Sequence, residues 1–547
     1  MSSVRNILAI NFNHDGSAVL LTEGRLAGYV NTERFSRLKK HPGVREADLN
    51  EVLAQAGIES DSVDLVILQN LSVIDSEEIV HAHGSDLKST WPELNLDRTT
   101  GIVSLLGQRI PCVIDLDHFL CHCAAAYYFS PFEEAICFAH DPTGCGTFIG
   151  RGNTLVELDG PASKLGKLYA MVSRHLGFSA LFGAGKVMGL APYGREASEP
   201  VRAELEALAR GQVDSANLWA TFDRIVSLAE AEPLFVREAA GCWNATLARD
   251  VQSVFESGAV EISRRLFRLA LAHRIVPNLC LAGGAALNSS ANEACFRWAS
   301  SSQTFRDIYL HPACGDDGTA IGAALFYWHH VLGNPRRPRS NSEAMYGVRT
   351  YERDVPRALE SYTGDIDVRL TTSDVLEAAR LIASGQVVGW YQGASEIGPR
   401  SLGNRSILCD PRRSDMQERL NAHVKFRERF RPFAPSVLRR AASDWFTVAE
   451  SPFMLRVAGV RRMGIPAVTH CDGTARPQTV ARRDNQRFYD LIEAFADVSG
   501  VELVLNTSLN IQGEPIAETP SDAIRCLLQS GMDCLVFPGV IVRKRQA

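Results

Sequence analysis

His118 and His122 are separated by three residues. On a helix, side chains at i and i+4 share one face about 6 Å apart, so two imidazoles at this spacing can ligate one cation. By itself the pair also reads as two hydrogen-bonded histidines on a half-buried helix. Two carboxylates at turn positions add weight to the metal reading. Asp141 opens the turn Asp141-Pro142-Thr143-Gly144-Cys145-Gly146, and Asp316 lies in Cys314-Gly315-Asp316-Asp317-Gly318. Two imidazoles with carboxylate oxygens make a hard, open site suited to Fe(II) or Mn(II) more than to a closed structural zinc.

Three Gly-containing turns each follow a predicted strand: Asn13-His14-Asp15-Gly16-Ser17, the Asp141 turn with Gly144, and Gly283-Gly284-Ala285-Ala286. Glycine lets backbone N–H groups approach a phosphate closely. Any one of these turns is also what a strand end needs for conformational reasons alone.

From Arg400 to Pro435 nine Lys or Arg (400, 405, 412, 413, 419, 425, 427, 429, 431) stand against four acids (410, 415, 418, 428). A solvated basic face or an RNA patch would have this composition. The interleaving with apolar and small residues, as in GPRSLGNRSIL and KFRERFRPFAPSV, instead fits a lined pocket where Arg forks grip phosphate oxygens. Asn506-Thr507-Ser508-Leu509-Asn510 then offers hydroxyl and amide groups at a predicted strand end.

The elements that must position these groups read as α/β. ILAINF, AVLLTEG and RLAGYVNTERF predict a β-meander, and 44–58 a helix. VDLVILQN and CVIDLDH predict buried strands, the latter followed by the helix FLCHCAAAYYFS. Residues 135–150 read as strand, turn, strand; 245–272 has the spacing of a long helix; and 278–299 reads as strand, Gly-Gly turn, helix. A Pro-, Arg- and Ser-rich stretch at 334–354 predicts an interdomain linker. Beyond it come a helix at 374–385, strands at VVGWYQG and VELVLNTSLN, a helix at 520–530 and one closing strand, CLVFPGVIVRK. No internal repeat is visible.

At 547 residues the chain exceeds one hydrophobic core. With 46% hydrophobic and 22% charged residues it has an ordinary globular composition, and a net charge of -6 argues against nucleic acid or membrane as a bulk partner. No apolar run approaches the roughly 18 residues of a membrane span. The apolar stretch at the N-terminus is too short for a signal peptide, so a cytoplasmic location is the expectation. Thirteen cysteines without a CxxC pair predict reduced thiols.

NHDGSA, ERFSRLKKH, DHFLCHCAAAYYFSPF, GKVMGLAPYG, LAGGAALN and GDDGTAIGAAL follow one another in this chain. In type and order they resemble the NodU-type carbamoyltransferases, a family that includes the tobramycin and cephalosporin carbamoyltransferases. The resemblance covers nearly the whole chain. It implies an N-terminal actin-like ATPase domain of two lobes (1–345), a linker (346–368) and a C-terminal YrdC-like α/β domain (369–547). It implies that His118, His122, Asp141 and Asp316 hold the metal and that His14 stands beside the reacting carbamoyl group. Gly144, Gly283, Gly284 and Asn288 are expected to border nucleotide. Arg400, Lys425, Ser508 and Asn510 match residues that hold carbamoyl phosphate and ATP, with Arg405 and Arg431 as neighbours. This chain departs from the family at Asp117, where a histidine is usual, at Pro142 and Cys145 in the second turn, and at Ala184, where glutamate is common.

The implied reaction forms carbamoyl-adenylate from carbamoyl phosphate and ATP, with Mg²⁺ accompanying ATP, in the second domain. The first domain then transfers the carbamoyl group to a hydroxyl of a small molecule. Competing readings are transfer to tRNA or a maturation protein, an actin-like kinase, and a non-catalytic scaffold; the absence of zinc-ribbon pairs argues against the first. The acceptor is expected against residues 195–250, where Trp219, Phe222 and Trp243 stand out. The sequence leaves the oligomeric state open, a homodimer being one expectation.

Overall fold

The computed structural model describes residues 4–71, 92–180, 183–196, 198–210, 212, 217–229, 234–238 and 241–545. Its first sheet runs in the order Arg25–Asn31, Ser17–Thr22, Asn6–Asn11, Leu65–Gln69, Gln108–Ile114, Ile102–Leu105, Asn95–Asp97. The first three strands form an antiparallel meander, and Asn6–Asn11, Leu65–Gln69 and Gln108–Ile114 are mutually parallel. A second sheet repeats this plan: Thr154–Leu158, Cys145–Arg151, Glu134–His140, Asn278–Ala282, Asp307–Leu310, again a meander followed by parallel strands. The chain is therefore duplicated in topology, and these are the two lobes of an actin-like fold. No repeat is legible in the sequence because what the two lobes share is strand order and direction.

Two helices, His118–Phe129 and Thr319–Phe326, pack between the lobes, and their core includes Ile7 and Ala9 of one sheet and Cys137 and Ala139 of the other. Small residues let these helices approach closely. A Cβ at Gly322 would lie 1.8 Å from the carbonyl oxygen of Cys121. The opposite face of the first strand, Leu8 and Ile10, joins a separate core over the helix Glu46–Ala56. Burial on both faces explains the unbroken apolar run ILAIN.

The C-terminal part builds an eight-stranded sheet in the order Ile366–Leu370, Val540–Lys544, Cys534–Phe537, Val388–Tyr391, Arg405–Cys409, Leu503–Ser508, Ala434–Leu438, Gln478–Val480. Both faces are covered: Leu408 packs in the core with Ile382 and Phe488, while Ile407 and Cys409 pack in the core with Leu420 and Ile524. Among the described residues no helix is long and apolar enough to cross a membrane, and all thirteen cysteines are free.

Several local expectations need correction. The third strand ends at Asn31, whose side chain accepts from Glu33 N and caps a short helix, Thr32–Ser36. The buried run CVIDLDH leaves its strand at Ile114, and the next helix begins at His118. The closing strand is a hairpin, Cys534–Phe537 and Val540–Lys544, turning at Gly539 with φ +76°. Residues 346–368, expected as a linker, are folded: Tyr346–Thr350 pairs with Ala394–Glu396, a helix covers Val355–Ser361, and Ile366 enters the large sheet.

Candidate active site

His118 occupies the first turn of its helix because Asp117 caps it, Oδ1 accepting from Leu120 N at 2.7 Å. Aspartate at a position where histidine is usual thus has a structural reason. His122 follows one turn on, and the Nε2 atoms of the two histidines face each other at 3.1 Å. Asp141 presents Oδ2 to His118 Nε2 at 2.9 Å, and Asp316 presents Oδ1 to His122 Nε2 at 3.3 Å. The other oxygen of each carboxylate is held from outside. Asp141 Oδ1 accepts from Thr143 N and Oγ1 and from Gly144 N, a turn that Pro142 does not interrupt. Asp316 Oδ2 accepts from Asn13 Nδ2 at 2.5 Å and faces His14 Nε2 at 3.4 Å.

One ligand atom from each of the four residues lies within 4.8 Å of the others, and all but the half-buried His118 are buried. Burial opposes ionisation of Asp316 and Asp141, yet the neighbouring histidines hold both carboxyls below the usual range. Burial would likewise lower His118, but Asp141 and Asp316 raise it. Two convergent imidazoles and two oriented carboxylates fit a divalent cation, with the outer hydrogen bonds fixing the ligands.

His14 lies beside this set, its Nδ1 2.9 Å from Asp15 Oδ2. Lys40 Nζ donates to the same carboxylate oxygen at 2.7 Å. The segment 32–40 also carries the seam to the C-terminal part. Arg34 donates to Gly398 O at 2.9 Å, and Arg37 to Pro515 O and Ile516 O, both at 2.8 Å.

Across that seam Lys425 Nζ is enclosed by Ser508 O and Oγ and by Asn510 O and Oδ1, at 2.5–3.2 Å. Around it gather Arg400, Arg427, Arg431 and Arg476. Burial pushes all of them down, and neighbouring cations add to it for all but Arg431: Arg427 for Lys425, Arg400 for Arg476, and Arg431 for Arg427 and for Arg400, the last reaching about 10. The buried Nε atoms of Arg400 and Arg476 have no hydrogen-bond partner among the described residues. Glu428, a carboxylate facing the group, is shared between Lys186 at 2.6 Å and Arg431 at 3.8 Å. Clustered, desolvated cations with unmet donors fit an anion.

Residues 98–325 match the carbamoyltransferase N-terminus family and residues 379–544 the carbamoyltransferase C-terminus family. The chain belongs to the NodU-type carbamoyltransferases. It is 33% identical to nodulation protein NolNO of Sinorhizobium fredii over 98% of this chain and 80% of that one. It is 37% identical to NolO of Bradyrhizobium diazoefficiens over 79% of each. An uncharacterized protein of Synechocystis is 33% identical over 98% of this chain and 97% of its own length.

Not every residue singled out in this transferase reaches a site. Arg405 is fully buried, and its guanidinium donates to the carbonyls of Gln392, Gly393, Asn404 and Glu518 while lying over the Tyr391 ring. It scaffolds the strand and does not line the anion pocket. Asn288 caps the helix Ser289–Ser302 through Ala291 N and exchanges two hydrogen bonds with the Gln252 amide, so its side chain is engaged structurally. Gly283 adopts φ +82°, and a Cβ there would lie 2.3 Å from His140 O, whereas Gly284 faces open space. Arg412, Arg413, Arg419 and Arg429 pair with acids and form the solvated part of the basic segment.

Asn13, Lys40 and Arg476 escaped the sequence reading as site residues, and Arg427 shows there only as one of nine basic residues in the segment. The doublet Lys39-Lys40 in ERFSRLKKH, and Arg476 in a stretch without apolar periodicity, were the available signals. Of the expected acceptor region, residues 197, 211, 213–216, 230–233 and 239–240 lie outside the described residues. Phe222 is core, and Trp243 is buried against Phe178 and Phe430, which sits in the basic segment; Trp219 is exposed.

Proposed function

We propose that this carbamoyltransferase uses ATP to activate carbamoyl phosphate and passes the carbamoyl group to a hydroxyl of a small molecule. The observation that carries this reading is the pairing of two unlike centres across one seam: a metal-capable site beside His14, and a buried cation cluster with unmet donors around Arg400 and Arg476. Residues 1–345 would be the transferring domain and 369–547 the activating, YrdC-like domain.

In the activating half, phosphate leaves carbamoyl phosphate by hydrolysis. A carbamate oxygen then attacks the α-phosphorus of ATP, displacing pyrophosphate and giving carbamoyl-adenylate. Arg400, Arg427, Arg431 and Arg476 stabilise the charge on phosphoryl oxygens, and Mg²⁺ accompanies ATP. Lys425, fixed by Ser508 and Asn510, sets the position of the anion. In the transferring half, Gly144, Gly283 and Gly284 border the adenylate. A cation such as Fe(II) or Mn(II), held by His118, His122, Asp141 and Asp316, would supply Lewis-acid polarisation. His14 takes the proton of the acceptor hydroxyl as its oxygen attacks the carbamoyl carbon and AMP departs.

The test is incubation with ¹⁴C-carbamoyl phosphate, ATP and a panel of hydroxylated natural products. Pyrophosphate and AMP formed in step with a labelled small molecule are expected. Label in tRNA or protein, or transfer that is indifferent to ATP, would overturn the reading.

A further inference from the structure

The C-terminal part reaches into the N-terminal part by an arm, residues 452–457. Its base is tied to the large sheet: Thr479 N donates to Ser451 O and Ser451 N to Thr479 Oγ1, both at 2.9 Å. Thr479 stands on the strand Gln478–Val480, three residues after Arg476 of the cation cluster. Beyond this base the arm leaves its own sheet. Phe453, Met454 and Leu455 are buried in the core that packs between the two N-terminal lobes, together with Ala286. Phe453 lies edge-on to Tyr309 at 6.1 Å. Met454 has φ +58° and is 3% exposed. A buried side chain in the left-handed region persists only where its surroundings over-determine it.

The arm docks on the helix Ser289–Ser302, which follows the turn Gly284–Leu287. Val457 N donates to Ser289 O at 3.3 Å. Arg456 pairs with Glu293 at 2.8 Å and lies over the Phe296 ring at 3.8 Å. Beside these anchors stands Asn292, 3% exposed. Its Nδ2 donates to Leu455 O of the arm at 2.9 Å and to Ala286 O of the turn at 2.8 Å. A side-chain amide carries two N–H donors on one atom. Here one goes to each part of the chain. The turn is not packed on every side: Ala285, Ala286 and Asn292 border a cavity of about 40 Å³ that is also lined by Phe255 and Ile262. Packing alone therefore does not fix the turn, and the amide supplies what packing leaves out.

We propose that Asn292 is a positioning residue for the transferring half. It ties the turn Gly284–Leu287 to the arm of the activating part, so the turn takes its working place only while that arm is docked on the helix Ser289–Ser302. The inference rests on the reading that Gly283 and Gly284 border carbamoyl-adenylate. It adds that the C-terminal part does more than make the adenylate: it completes the place where the adenylate is used. Asn292 acts through the turn and touches no reacting atom.

Steady-state kinetics of the two half-reactions, measured separately on the full chain, test this. Asn292→Ala removes both donors. Transfer from supplied carbamoyl-adenylate should then show a KM raised about tenfold, the scale of one buried hydrogen bond. Its kcat should stay within about threefold of wild type. Pyrophosphate release from ATP and carbamoyl phosphate should keep its wild-type KM values. Arg456→Met combined with Glu293→Gln loosens the same link from the arm's side and leaves no unpaired charge; it should raise the same KM. A merely structural role would act otherwise. A destabilised fold lowers the active fraction, which reduces kcat in both half-reactions alike and leaves KM unchanged. That pattern, or a wild-type KM for carbamoyl-adenylate in either variant, would overturn the inference while the functional reading stands. A wild type that transfers nothing from carbamoyl-adenylate would instead sink the functional reading, and this inference with it.

Discussion

The Nε2 of His14 lies 3.4 Å from Oδ2 of Asp316, the oxygen that the same carboxylate turns away from His118 and His122. One aspartate thus joins the metal-capable set to the imidazole on the first turn. Asn13 grips the same oxygen and Asn11 donates to the Asp316 carbonyl at 3.0 Å, so the first strand fixes this geometry from the backbone up. His14→Asn should slow transfer from preformed carbamoyl-adenylate by about 10²–10⁴, the usual value of general acid–base help. Pyrophosphate formation should be unchanged, and the melting temperature nearly so. Equal single-turnover rates for mutant and wild type would remove His14 from the mechanism.

Removing the metal should separate the half-reactions. His118→Ala, or dialysis against a strong chelator, should abolish transfer while ATP-dependent pyrophosphate release continues. Elemental analysis should find about one iron or manganese per chain in the wild type and little in the mutant. Full transfer by metal-free protein would contradict the assignment.

How much of this was legible beforehand depends on the scale of the interaction. His118 and His122 announce themselves because one helix carries both, and the buried runs ILAIN and LVILQ give their strands through local pattern. The partition of the basic segment does not show in the sequence. Arg400, Arg405 and Arg412 look alike there, yet one is buried beside Arg431 with an unpartnered Nε, one holds carbonyls and one pairs with Asp410. Asp410 stands two residues before Arg412 and claims it locally, whereas only the tertiary approach of Glu518 and Tyr391 sets Arg405 apart from Arg400. The lobe duplication is equally silent, since strand order leaves no trace in residue identity.

Within the anion pocket, Arg476 is expected to matter as much as Arg400. Both have buried, unpartnered Nε atoms, so neither holds the fold through that donor. Arg400→Ala and Arg476→Gln should each abolish carbamoyl-adenylate formation and leave transfer from supplied carbamoyl-adenylate largely intact. Relief of like-charge crowding should leave stability equal or slightly higher. Wild-type pyrophosphate release by either variant would show that the cluster does not hold phosphate.

Arg405 should behave in the opposite way. Arg405→Ala takes from the carbonyls of Gln392 and Gly393 the donor that Arg405 supplies and opens a void over Tyr391. A loss of roughly 3–5 kcal/mol is expected for a buried, fully bonded charge of this kind. Low soluble yield and a lowered melting temperature should accompany any loss of activity. A stable Arg405→Ala protein defective only in adenylate formation would return Arg405 to the pocket.

Buried neutral histidines predict how the protein responds to acid. Burial, with Arg339 adding to it, lowers His311 to about 4, and burial with Arg476 lowers His470 to about 4. In the unfolded chain both titrate near 6.5. Between those values the unfolded state binds more protons than the folded one. Stability is therefore fully present above about pH 6.5 and is lost as the pH falls toward 4. At pH 5 each histidine contributes a loss of about 2 kcal/mol by this linkage. His311 makes the cleaner test, because its Nδ1 accepts from Ala313 N, its ring packs on Phe129, and it has no proposed part in binding or transfer. His311→Gln keeps an acceptor and removes the proton uptake. Melting temperatures compared between about pH 7.5 and 5 at a fixed scan rate should fall less steeply in the variant than in wild type, even if the variant starts lower. Parallel slopes would show that His311 is not what acid attacks first.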